Sequence, residues 1–366
     1  MKAVAHTLTR SRVRTFRIPT DSLESDGTLE WDATSLVLVE LWCGDLKGFG
    51  YTYADLSCAR FIEAHLLPLL DGTSASTPEW QLERMLAAIR NLGQIGLPMM
   101  AISAVDCALW DLYARLLAEP LARLLGQQRP SAPAYGSGGF TSYELGDLEA
   151  QLSRWAQQGF KAVKMKVGRH PEQDRERVEA SRLVIGPETQ LMVDANSAYT
   201  VAEARKWADV FYEVGQICWV EEPLDPADFE GLRLLRHQIP AGIEIADGEY
   251  LYRSSEARRF LQAQAVDVLM PDVTRCGGYT GFRRIAALAE AFQTPLSAHC
   301  APALTTPIGC AAPGFRHLEY FHDHARLEDM AFDGLPELKD GQLFPQLDRP
   351  GHGLEIKEAN LQPHQL

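Results

Sequence analysis

VKMKVG (163–168) decides how this chain is read. Val163, Met165 and Val167 alternate with Lys164 and Lys166, so on a strand the two ammonium groups share one face. Working outward, the same texture recurs. QLMVDAN (190–196) carries Asp194, ICWVEEP (217–223) Glu221, and IEIADGE (243–249) Asp247 and Glu249. VDVLMPD (266–272) ends on Asp272, TPLSAH (294–299) on His299, and HLEYF (317–321) carries Glu319. From Lys166 the steps are 28, 27, 28 (to Glu249), 23, 27 and 20 residues. A strand, a helix and two loops fill about that length, and strands alternating with helical patterns predict a parallel sheet. Charge at the C-terminal end of each strand is where a (β/α) barrel keeps its chemistry.

The whole chain has 366 residues, enough for a barrel and one accessory domain. Residues 1–126 read as an α+β unit. TSLVLVELWC (34–43) is strand-like, whereas 58–126 is a run of helices with Gly126 as a stop. PTDSLESDGTLEWDA (19–33) is polar and aperiodic, which predicts a mobile loop. QQRPSAP (127–133) marks a boundary, and APAYGSGG (132–139) supplies the first barrel strand. The barrel would run over 132–325, with 326–366 packing back on the N-terminal domain.

The net charge of −14, without a basic cluster, argues against nucleic acid and anionic membrane as partners. Seven scattered cysteines without a CxxC spacing predict reduced thiols rather than a disulfide framework or a zinc site. The start MKAVAHTLTRSRV has no apolar signal core, and no apolar run reaches 18 residues. The expectation is a soluble cytoplasmic protein.

Asp194, Glu221 and one of Asp247 or Glu249 would bring three oxygen donors to the barrel mouth. Such a set suits a hard cation such as Mg²⁺. Asp247 and Glu249 lie two apart, so an unbroken strand would aim both the same way. Glu249 is preferred for its longer arm after Gly248, and Asp247 remains the alternative. A lysine beside a second cation has a lowered pKa, which makes Lys166 a candidate base and Lys164 an electrostatic partner for a substrate carboxylate. Asp272 and His299, on consecutive strands, form a candidate dyad in which the carboxylate fixes the imidazole tautomer. Glu319, if kept protonated by burial, would donate to an enolate oxygen. Asn196 and Ser137 are candidate polar contacts. Tyr51 and Tyr53 are candidates to line the cavity, in a second loop (48–56) closing with the first over the mouth.

KMK, VDAN, WVEEP, ADGE, MPDVTRCGGYTG, SAH and HLEYF together resemble the enolase superfamily, in particular its mandelate racemase subgroup. The likeness spans nearly the whole chain. It implies an α/β fold with a modified (β/α) TIM barrel and an α+β cap completed by the C-terminal segment. It also implies Mg²⁺ on Asp194, Glu221 and Glu249, with Lys166 and the His299–Asp272 dyad flanking a substrate α-carbon. Muconate-lactonising-like members carry a catalytic lysine on the sixth strand. Here TRCGG offers Arg275, which stays protonated at neutral pH. The DGE triplet departs from the commoner third-ligand pattern.

The implied chemistry is abstraction of the proton α to a carboxylate of a small molecule. Dehydration of an acid sugar to a 2-keto-3-deoxy acid is the first expectation. Racemisation or epimerisation of a 2-hydroxy acid and lactone cycloisomerisation are the alternatives. A non-catalytic binding protein would lack one of the acids or bases, and none is missing. The resemblance further implies a homo-oligomer.

Overall fold

The computed structural model describes residues 6–366. Residues 1–5, the beginning of the stretch read above for a signal core, lie outside the described residues. Three antiparallel strands open the fold: β1 (Arg10–Ser25), β2 (Glu30–Cys43) and β3 (Leu46–Tyr53). β2 is apolar on both faces because both are covered. Val37, Val39 and Leu41 pack with Ile102, Val105 and Leu109 of the helix Leu97–Leu116, while Leu36 and Leu38 join the core shared with the barrel. Each fully buried Val, Leu or Ile contributes roughly 1.5–3 kcal/mol, so this strand ties the cap to the barrel. The helix Leu97–Leu116 is long and apolar enough to cross a membrane, but 78% of that stretch is buried within the fold.

Eight parallel strands form the barrel: β4 (Ala132–Gly138), β5 (Ala162–Lys166), β6 (Gln190–Asp194), β7 (Trp219–Glu221), β8 (Glu244–Asp247), β9 (Val268–Leu269), β10 (Leu296–Ala298) and β11 (Phe315–Phe321). Pairing of β11 with β4 closes the ring. Alternation sorts β5 as the sequence predicts. Val163, Met165 and Val167 join the core beneath the outer helices, and Ala162 faces inward with Tyr135, Met192, Trp219, Ala246, Val268 and Met270. That apolar plug fills the barrel floor, and Lys164 stands over the Tyr135 ring at 5.5 Å.

The C-terminal segment returns to the cap. Arg14 pairs with Glu358 at 2.6 Å, the Leu366 amide donates to Thr15, and His352 meets the Phe49 carbonyl. It also reaches the base of the barrel, where the strand Gln342–Phe344 pairs antiparallel with the start of β4.

Residues 19–33, expected as an irregular mobile loop, are instead the end of a β-hairpin. β1 and β2 stay paired to Ser25↔Glu30, with a register shift between Pro19 and Glu24. The shift hides the alternation that would have marked a strand, and Pro tolerates such a site. At the tip, Asp26 Oδ1 accepts the amides of Thr28 (2.7 Å) and Leu29 (2.6 Å). Residues 46–53 are likewise strand, not a closing loop.

Candidate active site

The mouth gathers side chains from seven strand ends. Lys166 Nζ lies 2.6 Å from Asp194 Oδ2. Lys164 Nζ touches Glu221 and stands 3.1 Å from Asp194 Oδ2 and 2.8 Å from Glu319 Oε1. His299 Nδ1 meets Asp272 Oδ2 at 2.8 Å, and the other Asp272 oxygen accepts from the Thr274 amide (2.6 Å) and hydroxyl (2.8 Å). With its second oxygen occupied, Asp272 fixes the ring, and His299 Nε2 points to the interior, 3.4 Å from Glu249 Oε2. Arg275 pairs with Glu249 at 3.1 Å.

A cavity of about 240 Å³ lies above these groups. Lys166, Asn196, Glu249, Arg275 and His299 form its floor and walls, and Asp26, Leu29 and Trp31 of the hairpin tip form its roof. The tip is latched to the barrel: Thr28 Oγ1 donates to the Asn196 carbonyl and Arg169 to that of Leu29. Gly27 permits this approach, since a Cβ there would sit 2.2 Å from the Ala195 carbonyl oxygen.

Asp194, Glu221 and Glu249 each offer an oxygen within 4.8 Å of the others. Gly248 decides the third member. β8 ends at Asp247, and Gly248 has φ +133°, so strand alternation stops before Glu249. The two carboxylates therefore do not share a direction. Glu249 enters the catalytic cavity, whereas Asp247 lines a separate pocket with Leu251 and Phe260.

The donor set fits a hard divalent cation. It is all oxygen, and Glu249 Oε2 is buried without a hydrogen-bond partner. The carboxyl groups of Asp194, Glu221, Glu249, Asp272 and Glu319 outnumber the fixed cations Lys164, Lys166 and Arg275, an imbalance that a bound cation would relieve. The pKa directions reflect that excess. Burial pushes the Glu221 carboxyl well above the usual range, outweighing Lys164. Burial would also raise Asp194, but Lys166 and Lys164 hold it down at about 2.

Several expectations change. Burial alone would lower the Lys166 ammonium, as a base requires, yet the Asp194 carboxylate more than offsets it and the group stands raised. Lys164 does not line the cavity. It is fully buried beneath it among three carboxylates, so it balances their charge rather than meeting a substrate carboxylate directly. Glu319 is not protonated by burial. Lys164 and then His299 overcome desolvation and hold it well below the carboxylate range, leaving it an acceptor. Its partners are Ser137 Oγ (2.6 Å) and the Cys300 amide (3.1 Å), which takes Ser137 out of contact with the cavity. Tyr51 and Tyr53 also miss the cavity. Both hydroxyls donate to Glu328 Oε1, at 2.7 and 3.3 Å. The residues there instead are Asp323 and His324, in the first turn of the helix His322–Ala331 that follows β11, and Tyr53 stacks behind His324.

Asn196 does reach the cavity, with φ +42°, its amide on Asp194 Oδ1 and its own Oδ1 unpartnered. Sequence reading missed Asp26, Trp31, Cys300, Asp323 and His324. The strand-end rule could have found the last three, which directly follow His299 or HLEYF. Nothing local marks the hairpin pair.

A closed eight-strand barrel with lysines and carboxylates at its mouth, under an antiparallel cap, defines the enolase-like class. Residues 147–360 match the family model described as enolase C-terminal domain-like, and residues 15–126 match the N-terminal domain of mandelate racemase/muconate lactonizing enzyme. The chain belongs to the mandelate racemase/muconate lactonizing enzyme family. It is 35% identical to the 3,6-anhydro-alpha-L-galactonate cycloisomerase of Streptomyces coelicolor, covering 94% of this chain and 96% of that protein. A mandelate racemase/muconate lactonizing enzyme-like protein from Rubrobacter xylanophilus superposes with a TM-score of 0.96 at 49% identity, over 98% of this chain and 100% of that one. L-Talarate dehydratase from Polaromonas sp. JS666, complexed with Mg and L-glucarate, superposes at 0.87 with 30% identity, over 98% and 97%.

Proposed function

We propose that the protein is a Mg²⁺-dependent enzyme that removes the proton α to the carboxylate of an acid sugar and then expels the oxygen on the β-carbon. The observation that carries this reading is the opening of Lys166 and His299 into one cavity, on strands three apart around the barrel, beside an oxygen-only triad. Held by Asp194, Glu221 and Glu249, Mg²⁺ would polarise the substrate carboxylate and make the α-proton acidic enough to remove. Lys166 is the base toward the α-carbon: a cation held on Asp194 would compete for the carboxylate that keeps the ammonium raised, and so would free the amine. His299 is the acid toward the leaving oxygen. Burial lowers its imidazole, but Glu249, Glu319 and the Asp272 hydrogen bond more than compensate and favour the protonated form. Lys164 and Arg275 hold the carboxylates in place, and the hairpin tip excludes water.

Loss of a β-hydroxyl gives water and a 2-keto-3-deoxy acid, which is dehydration. When the β-oxygen belongs to a ring ether, the same step opens the ring without releasing water. The cycloisomerase relative, matched over 96% of its length, favours that second outcome for a cyclic substrate.

The test is a library of linear and anhydro acid sugars, with the Mg²⁺-loaded protein, a ketone-specific readout and α-proton exchange in D₂O. Ketone formation from at least one member is expected. Absence of both ketone and exchange across the library overturns the reading, and exchange with inversion but no ketone replaces it with racemisation.

A further inference from the structure

A second set of metal-ligating side chains lies outside the cavity, where the hairpin meets the barrel. Asp21 and Glu24, near the end of β1, and His322, directly after β11, each offer a ligand atom within 4.8 Å of the others. His322 Nε2 already meets Asp21 Oδ2 at 2.9 Å. Glu24 is fully buried. Its Oε2 accepts the Trp31 indole N–H at 2.8 Å, while its Oε1 has no hydrogen-bond partner. A buried carboxylate oxygen without a donor is costly. Arg326 donates through one terminal nitrogen to Asp323 and the Pro19 carbonyl, and no hydrogen bond from it reaches Glu24.

We infer that Asp21, Glu24 and His322 form a binding site for a transition-metal dication of the zinc class, which pins the hairpin to the barrel. One imidazole and two carboxylates is a borderline-soft set, unlike the all-oxygen triad at the mouth, and it selects Zn²⁺ or Co²⁺ over Mg²⁺. At zinc bond lengths tetrahedral ligands stand about 3.3 Å apart, so the three atoms need only a small closure. Asp21 is half exposed and free to supply it. A groove of about 440 Å³, open to solvent and lined by Asp21 and His322, provides entry and a water for the fourth position. Through Glu24, occupancy reaches Trp31 in the cavity roof.

The experiment is equilibrium dialysis of the Mg²⁺-saturated protein against zinc, with metal counted per chain. His299, Cys300 and Glu319 also gather within ligand distance, so the measurement is repeated in Cys300→Ala. One zinc per chain is expected in both proteins, with affinity reduced at least about 100-fold by His322→Gln and by Glu24→Gln. Cobalt in the same site should give visible absorption without a thiolate charge-transfer band. Zinc uptake that follows Cys300→Ala, uptake indifferent to His322→Gln, or no zinc retained would each overturn the assignment. Thermal melting of the Mg²⁺-loaded variants controls for folding. Should Glu24→Gln fail to fold, the exposed Asp21→Asn carries the same comparison.

Discussion

Buried carboxylates in two parts of this molecule behave oppositely. At the barrel mouth, Asp194 and Glu319 are fully buried yet held ionised, because Lys164 and Lys166 lie within 2.6–3.1 Å of them. Behind the hairpin, Glu328 is equally buried, but its partners are the Tyr51 and Tyr53 hydroxyls and the Ala303 amide. Burial raises its carboxyl to about 7 and these neutral donors recover only part of the shift. Burial therefore does not say what an acid is for. Cationic neighbours hold Asp194 and Glu319 ionised, neutral donors leave Glu328 raised, and Glu221 stays raised beside Lys164 because burial and the Asp194 and Glu319 charges outweigh that one cation.

The largest test of that contrast removes the acid and base of the mouth. Lys166→Ala and His299→Asn should each lower turnover about 10²–10⁴-fold while melting temperature changes little. Wild-type turnover in either variant, on the identified substrate, removes its assigned role. Next comes the third ligand. Glu249→Gln should weaken Mg²⁺ binding by about 10–100-fold or more, and chelation should abolish turnover reversibly. Asp247→Asn should leave Mg²⁺ affinity within a few-fold, because Asp247 lines a different pocket. Equal losses in the two variants would return Asp247 to the metal site.

Smaller effects probe the strut. The Glu328 carboxyl is raised from 4.5 to about 7, so between those values the folded state holds more protons than the unfolded one. Its contribution to stability is therefore largest below about pH 4.5 and is lost as pH rises through 7. Glu328→Gln should flatten that slope in denaturant titrations run across the window, and an unchanged slope would mean that another group titrates. Tyr53→Phe, which removes the longer of the two hydroxyl contacts, should cost only about 0.5–1.5 kcal/mol. A large loss of activity there would show that Tyr53 acts through His324 on the cavity.

Much of the barrel was legible because its signal is periodic and local. Lys164 and Lys166 alternate with apolar residues, and the face they share is indeed the interior. The family and the enolase-like fold followed from strand-end residues spaced by a near-constant unit. The failures have physical causes. The register shift between Pro19 and Glu24 erased the alternation of a real hairpin. Gly248 broke the two-residue rule that made Asp247 and Glu249 equivalent. An expected loop at 48–56 would put Tyr51 and Tyr53 over the cavity, but on a strand they share a face, and that face meets Glu328.

By itself, then, the sequence determined the order of chemical groups around the ring, since each strand–helix unit carries its own charged terminus and the closing of a barrel leaves little choice of order. Only the tertiary structure decided which groups share a cavity, which carboxylates are ionised, and that Asp21 and Glu24 meet His322 across about three hundred residues. Those outcomes depend on distances between elements remote in the chain. Electrostatic energy falls with separation in space and takes no account of separation in sequence.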